Sequence, residues 1–366
     1  MPIYRIGRNT TPTDIQSVGD FLANPLSLDN PLNSLYNKGQ KSPCIDRKRG
    51  IDMAKRLVYV MNPAAGNGRY LDDARRAAEE AGAEVHLTER SGECSDYIAE
   101  ACLHDPDTHF VVYGGDGTAG EAATGIMMAG AGKRASITIV PAGSGNDFVR
   151  GISAFDPPEG QDHIMLDMIS VNGRYVLNML NIGFDCEVAA ESEDLRRKHT
   201  MNNSASYIAG VAKILAKKPT ITTGMSFYGI KKYGCDNLID EEHLEGEFLL
   251  TAVANCPYCG GGFKGLPAAA PTDGFLDVLV VKNISRAKFL SVVGAYRAGT
   301  HINSETWTVA PQFASIIEYR RCKAFTLDTV NRICLDGEII PACGVRAEVI
   351  PEALRYVPLK FLGKNT

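Results

Sequence analysis

The 366-residue chain has no apolar run near the ~20 residues that a membrane-spanning helix requires, which argues against a helical span. Its first residues lack the basic-then-apolar pattern of a secretory signal, so a cytoplasmic location is expected. Neither charge sign dominates: 38 Lys and Arg against 43 Asp and Glu give a net charge of −5, which offers no footprint for a nucleic-acid binder. The ten cysteines lack the spacing of a small disulfide scaffold and read as reduced thiols. One pair, Cys256 and Cys259 in "NCPYCGGG", has CxxC spacing. Three glycines follow at once, so no helix start is there to lower a thiol pKa, and no second pair exists for zinc.

Two nucleotide fingerprints are also missing. "AGAGKRAS" lacks the leading glycine of a Walker A loop and the Ser or Thr directly after Lys133. "NPAAGNGRY" does not fit GxGxxG with an acid about 20 positions on.

What is present is 45% hydrophobic residues, ample for two domains. Residues 1–52 are rich in Asn, Pro, Ser and Asp without period, and read as a mostly disordered extension; Met53 marks a fresh start of the folded unit. From 53 to 166 the pattern is strand, small-residue loop, helix, repeated: "RLVYVM", "EVHLTER", "HFVVYGGDGT" and "SITIVPAGSGND" alternate with helical stretches such as "RYLDDARRAAEEAG" and "AGEAATGIMMAG". Such alternation implies a parallel sheet whose loops meet in one crevice at the strands' carboxyl ends. Over 167–349 short β-prone runs dominate, "RYVLNMLNIGFDCEVA", "GEFLLTAVAN" and "NRICLDGEIIP" among them. They are broken by helical "ASYIAGVAKILAKK", with Ile208, Val211, Ala212 and Leu215 on one face, and "SRAKFLSVVGAYRAG". The tail, 350–366, is expected to return to the first domain.

Two loops directly after strands each carry glycines and an acid: GGDGT with Asp116 and GSGND with Asp147. A carboxylate ~4 Å from one phosphate charge costs roughly 4 kcal/mol at an effective dielectric near 20, so phosphate binding here demands a cation. With "NPAAG" (62–66), "GGDGTAGE" (114–121), "PAGSGNDF" (141–148), "PTDGFLDV" (271–278) and "LDGE" (335–338) in this order, the chain resembles the diacylglycerol kinase catalytic-domain family over about residues 55–358. The resemblance implies an α/β fold: an N-terminal Rossmann-like three-layer nucleotide domain of NAD-kinase type, plus a C-terminal antiparallel β-sandwich. The active site would lie in the cleft between them.

It further implies ATP and Mg²⁺ as cofactors. Asn62, Pro63, Ala64, Ala65, Gly66, Thr88, Gly114, Gly115, Asp116, Gly117, Thr118, Ala119, Gly120, Glu121, Ser144 and Asn146 would line the ATP site. Ala65 and Gly120 depart from the Ser and Asn of many members. Asp116, Asp147 and Asp167 of "MLDMIS" would form a magnesium network, since Mg²⁺ takes one or two carboxylates with phosphate oxygens and waters. Asp116 read without the resemblance is a helix cap. The catalytic base would be Asp336 or Glu338, a pair that otherwise reads as a charged hairpin tip. In "AAAPTDGFLDV", Asp273 with the carbonyls of Ala270 and Phe275 would hold a structural magnesium, the competing reading being an Asp-Gly turn.

The implied function is γ-phosphoryl transfer to a lipid hydroxyl, most readily diacylglycerol giving phosphatidic acid. The implied partner is a membrane lipid met by peripheral contact at the membrane's inner face, with a homodimer allowed. Basic clusters at 195–199, 217–218, 231–232 and 319–323 each read as solvated faces and together suit an anionic surface. Two rivals stay open: phosphorylation of a soluble dinucleotide, and a non-catalytic nucleotide or lipid sensor.

Overall fold

The computed structural model describes residues 56–199 and 203–362. The proposed extension over 1–52 and the start at Met53 lie outside the described residues.

Strands β1 (Leu57–Met61), β3 (His109–Gly114) and β4 (Ser136–Pro141) are short, apolar and buried on both faces, as parallel strands flanked by helices must be. With β2 (Glu84–Leu87) they form a parallel sheet in the order β2-β1-β3-β4. Alternation sends Tyr59 and Met61 to one face, against Ala74, Ala77 and Ala78 of α1 (Leu71–Ala81). Val58 and Val60 face the other way, toward α2 (Glu93–His104), α3 (Asp116–Met128) and α4 (Asp147–Ile152). α1 stops where Gly82 turns left-handed and donates its N–H to the Ala78 and Glu79 carbonyls. The chain direction across the sheet reverses between β1 and β3, the place where such sheets bind ligands.

The second half is antiparallel. β5 (Ile164–Val171), β6 (Arg174–Val176), β7 (Met179–Gly183), β8 (Ile221–Ile230), β9 (Ile239–Ala254), β10 (Leu276–Lys282), β11 (Ile317–Cys322), β12 (Ala324–Leu327), β13 (Arg332–Leu335) and β14 (Glu338–Pro341) pair with one another or with β15 (Val345–Tyr356). Leu180, Phe227, Val253, Val278 and Phe325 form the sandwich interior. The opposite face of β7 and β9, with Met179 and Ala252, is covered by α5 (Phe184–His199) and α7 (Arg286–Ala298). A parallel α/β half and a β-sandwich half thus agree with the expected fold class.

Two details differ from the sequence reading. The run "RYVLNMLNIGFDCEVA" does not stay extended: Gly183 adopts φ +80, a Cβ there would meet the Leu249 carbonyl oxygen at 2.6 Å, and the chain turns into α5. On α6 (Asn203–Lys217) the inward face is Val211, Ile214 and Leu215, while Ala212 is exposed. β15 runs from the sandwich back to the first sheet. It pairs antiparallel with β12 and β5, and its last residues, Arg355 and Tyr356, lie parallel to Ser136 and Ile137 of β4.

Asn255, fully buried, ties the end of β9 to β5 and to the residue that follows β6. Its Nδ2 donates to the Asp167 carbonyl at 2.6 Å and to the Leu177 carbonyl at 3.2 Å. Asn255→Ala should leave both acceptors unpaired and lower stability by roughly 2–4 kcal/mol, read as a shift in the urea midpoint against wild type.

Candidate functional site

Three strand-to-helix loops meet at the carboxyl ends of β1, β3 and β4. Asn62 opens the first: its Nδ2 donates to Thr118 Oγ1 (2.9 Å), tying the loop after β1 to α3, while its Oδ1 accepts from the Ala64 N–H (3.0 Å). Glycine is required where the loops touch. A Cβ on Gly143 would lie 2.4 Å from the Gly115 Cα, and one on Gly66, at φ +57, would lie 2.8 Å from the Ala142 carbonyl oxygen. Backbone therefore meets backbone, and the loops present amides rather than side chains.

Ala64, Gly66, Gly117 and Ser144 are exposed along this mouth, with Pro63, Ala65, Gly115 and Asn146 half-buried beside them. Gly114, Thr118, Ala119 and Gly120 are buried beneath. Thr88 is buried too, its N–H on the Met61 carbonyl, and Glu121 is spent on the Gly92 N–H (3.0 Å) and Ser91 hydroxyl (3.3 Å) at the start of α2. No side chain caps α3, so its first-turn amides stay open to an anion. Gly120 also has a steric reason to be glycine, since a Cβ would approach Asp336 Oδ2 to 3.0 Å.

Asp116 caps a helix, but not its own. Its Oδ1 accepts the Phe148 N–H at 3.0 Å, and the Asp147 and Asn146 amides also bear on it, so it closes the N-terminus of α4. Asp147 stands beside it: a Cβ on Gly145 would meet Asp116 Oδ2 at 2.8 Å and Asp147 Oδ2 at 3.5 Å. Asp147 is held by Arg150 Nη1 (2.6 Å) and by the Gly261 N–H (2.7 Å). Burial, then the neighbouring Asp116 charge, pushes the Asp147 carboxyl up to about 7. Burial raises Asp116 as well, against the pull of the three amides.

The glycine-rich stretch after the CxxC pair thus forms the sandwich-side lip of the acidic pair. Cys256 and Cys259 are buried with thiols pushed up by burial, the opposite of what a redox site needs. Arg150 escaped the sequence reading; its spacing, three residues after Asp147 on a helix, was the available signal.

Asp336 and Gly337 form a two-residue hairpin turn between β13 and β14 with φ of +47 and +95, as Asp-Gly in a type I′ turn should. The turn aims the two acids apart. Glu338 is exposed, whereas the half-buried Asp336 carboxylate accepts the N–H groups of Leu177 (2.7 Å), Asn178 (2.9 Å) and Met179 (2.9 Å). Burial raises its pKa to about 6, with the Asp116 charge adding to the rise and the three amides opposing it. Asp336 therefore belongs with the acidic loop, and Glu338 does not share its point.

Asp167 does not join this cluster. Its oxygens accept the Glu352 N–H (2.9 Å) and the Gly274 N–H (2.6 Å), and the charges acting on it are Asp273 and Lys323. Its place in the magnesium network is corrected accordingly. Asp273, in turn, accepts the Phe275 N–H at 3.0 Å, as in an Asp-Gly turn, and pairs with buried Arg321. That guanidinium supplies Asp273 with a positive charge, as Arg150 does for Asp147. Among the described residues no group of three or more His, Cys, Asp and Glu is arranged around one ion. The Asp116 and Asp147 pair does fit Mg²⁺: two hard oxygen donors with raised pKa values ask for a cation, and Mg²⁺ completes its shell with phosphate and water.

The basic cluster at 319–323 is internal. Arg320 pairs with Glu242 and Glu318, Arg321 with Asp273, and Lys323 donates to the Gly274 carbonyl.

Residues 56–171 match the diacylglycerol kinase catalytic domain, and residues 178–358 match the YegS C-terminal NAD kinase beta sandwich-like domain. The chain belongs to the diacylglycerol kinase catalytic-domain family. Its coarse activity is that of the family's lipid kinases, with ATP as phosphoryl donor. It is 26% identical over 264 residues to the diacylglycerol kinase of Bacillus subtilis (strain 168), covering 69% of this chain and 82% of that one. Among solved structures, a diacylglycerol kinase from Bacillus anthracis str. Sterne superposes with a TM-score of 0.57 at 19% identity, covering 84% of this chain and 98% of that one. A second chain from the same organism gives 0.61 at 21% identity, covering 85% and 98%. These superpositions establish the shared two-part fold of the family.

The raised Asp147 pKa carries a stability consequence. Because the folded value lies above the unfolded one, this carboxyl favours the fold at low pH, and its contribution is lost as pH rises through about 7. Without nucleotide and metal, Asp147→Asn should hold its melting temperature better than wild type between pH 5 and pH 8, by on the order of 1 kcal/mol at the upper end. Parallel pH profiles of the two proteins would remove the effect.

Proposed function

We propose that the protein transfers the γ-phosphoryl group of ATP to a lipid hydroxyl, with diacylglycerol as acceptor and phosphatidic acid as product. The observation that carries this reading is Asp336: a recessed carboxylate with pKa about 6, fixed by three amides and set against the helix of the glycine loop. A base with a pKa just under neutral is ionised at pH 7 and still basic enough to take a proton in the transition state.

In this reading ATP lies across loops 62–66, 114–118 and 143–146, its phosphates meeting the open amides of α3. Asp116 and Asp147 would hold Mg²⁺, which would supply the positive charge that lets phosphate approach two carboxylates. The lipid hydroxyl oxygen bonds to Pγ while its proton passes to Asp336. The bond from Pγ to the bridging oxygen breaks, and ADP leaves with the electron pair. Glu338, exposed, takes no proton. Diacylglycerol is favoured over other lipid alcohols by the name of the Bacillus subtilis relative. The lipid is met by peripheral contact at the inner face of the membrane, its hydroxyl brought to Asp336, with no part taken by the internal 319–323 cluster.

The test is transfer of labelled phosphate from ATP, with magnesium, to a panel of lipids in mixed micelles, with NAD as a soluble control. A single labelled product, phosphatidic acid, is expected. Asp336→Asn, nearly isosteric but with an NH2 that cannot accept one of the clamp's N–H groups, should lower kcat by roughly 10²–10⁴ while ATP affinity stays within about threefold, and Glu338→Gln should turn over like wild type. Wild-type turnover by Asp336→Asn would remove it as the base, and a labelled dinucleotide in place of lipid would overturn the acceptor class.

A further inference from the structure

Residues 270–277 lie outside the acidic loop cluster, yet they carry two carboxylates, Asp273 and Asp277, on a turn leading into β10. Asp277 is fully buried, and burial pushes its carboxyl up to about 7. Arg321 sits directly across the strand pair from it, with Nε 3.1 Å from Asp277 Oδ1 and Nη2 on Asp273 Oδ2. One guanidinium thus lies against both acids: Nη2 hydrogen-bonds Asp273, while Nε faces Asp277 as an ion pair and makes no hydrogen bond. Tyr319 donates its hydroxyl to Asp277 Oδ1. Asp277 Oδ2 has no hydrogen-bond partner, but it belongs to a carboxylate already faced by Arg321.

Three further contacts fix the arrangement. Trp307 lies 4.2 Å over the guanidinium. Lys323, two residues on, donates to the Gly274 carbonyl and lies 3.7 Å from the Phe275 ring centre. Asp167 receives the Gly274 N–H at 2.6 Å. Asp273 and the Gly274 carbonyl, oxygens of the kind a hard cation seeks, are therefore met by protein cations of β11 and the residue following it.

We propose that Arg321, seconded by Lys323, takes the structural place of a divalent ion at this turn, so that the sandwich half of this chain is locked by a guanidinium and needs no metal of its own. Magnesium dependence is then confined to the nucleotide loops. A chelator affects turnover through ATP and leaves the 270–277 turn intact.

Trp307 is the chain's one tryptophan, so its emission reports on this cluster directly. The full-length protein, without nucleotide, would be compared in EDTA, MgCl₂ and CaCl₂ by thermal melting and Trp307 fluorescence, alongside Asp273→Asn and Arg321→Ala. Wild type should show the same emission in all three and a melting temperature constant to about 1 °C. A tightly held structural ion would instead raise it by roughly 5 °C or more. A metal-dependent melt that persists in Asp273→Asn arises at other carboxylates and fits the proposal; one that vanishes in Asp273→Asn overturns it. Arg321→Ala should melt lower, emit at longer wavelength and acquire a response to Mg²⁺ or Ca²⁺ that wild type lacks. Should that variant fail to fold, the wild-type and Asp273→Asn comparison decides alone.

Discussion

Two like charges are kept side by side in a recess where water cannot screen them, and much of the molecule is arranged to make that tolerable. Asp116 and Asp147 face one another across Gly145, and each is satisfied mostly by backbone. Amides of α4 hold the first, while an amide of the 258–262 loop and Arg150 hold the second. Helix N-termini and glycine-rich turns supply partial positive charge that cannot be displaced, unlike a mobile lysine. Burial first, and the residual repulsion from Asp116 second, leave Asp147 near neutrality, and a cation arriving with phosphate relieves both.

That arrangement explains why the glycines sit where they do. Gly115 and Gly143 pass within backbone contact of each other, and Gly120 makes room for Asp336 from the far half of the chain. The sandwich reaches the nucleotide loops through two thin elements, the 258–262 loop and the Asp336 turn. The first presents the Gly261 and Gly262 amides to Asp147, and the second sets the Asp336 carboxylate against Gly120.

Local pattern was a good guide where periodicity and turn chemistry decide structure. The parallel strands, the glycine stop after α1, and the Asp-Gly hairpin at 336–337 could all be read from neighbouring residues. Long-range partnerships could not. Asp336 finds its amides 157 to 159 positions away, Asp273 finds its arginine 48 positions on, and Asp167 lies nearly two hundred residues from Glu352. An acid near other acids in a motif looks like a ligand until its partner is known. Neighbouring residues alone therefore group Asp167 with Asp116 and Asp147 and place Arg321 on a solvated face, while the fold gives both other partners. The start of α5 was hidden for a different reason: one positive-φ glycine ends a strand whose composition would let it continue.

β15 is a single strand that belongs to both sheets. Its register breaks between Ile350 and Leu354, around Pro351 and a left-handed Glu352, before the strand meets β4. Asp167 grips that break through the Glu352 N–H and grips the 270–277 turn through the Gly274 N–H. The two halves therefore share a spine with one jointed vertebra, and the side chain bracing the joint also braces the Arg321 cluster. A change at Asp167 would therefore be felt at once in the break of β15 and in the 270–277 turn.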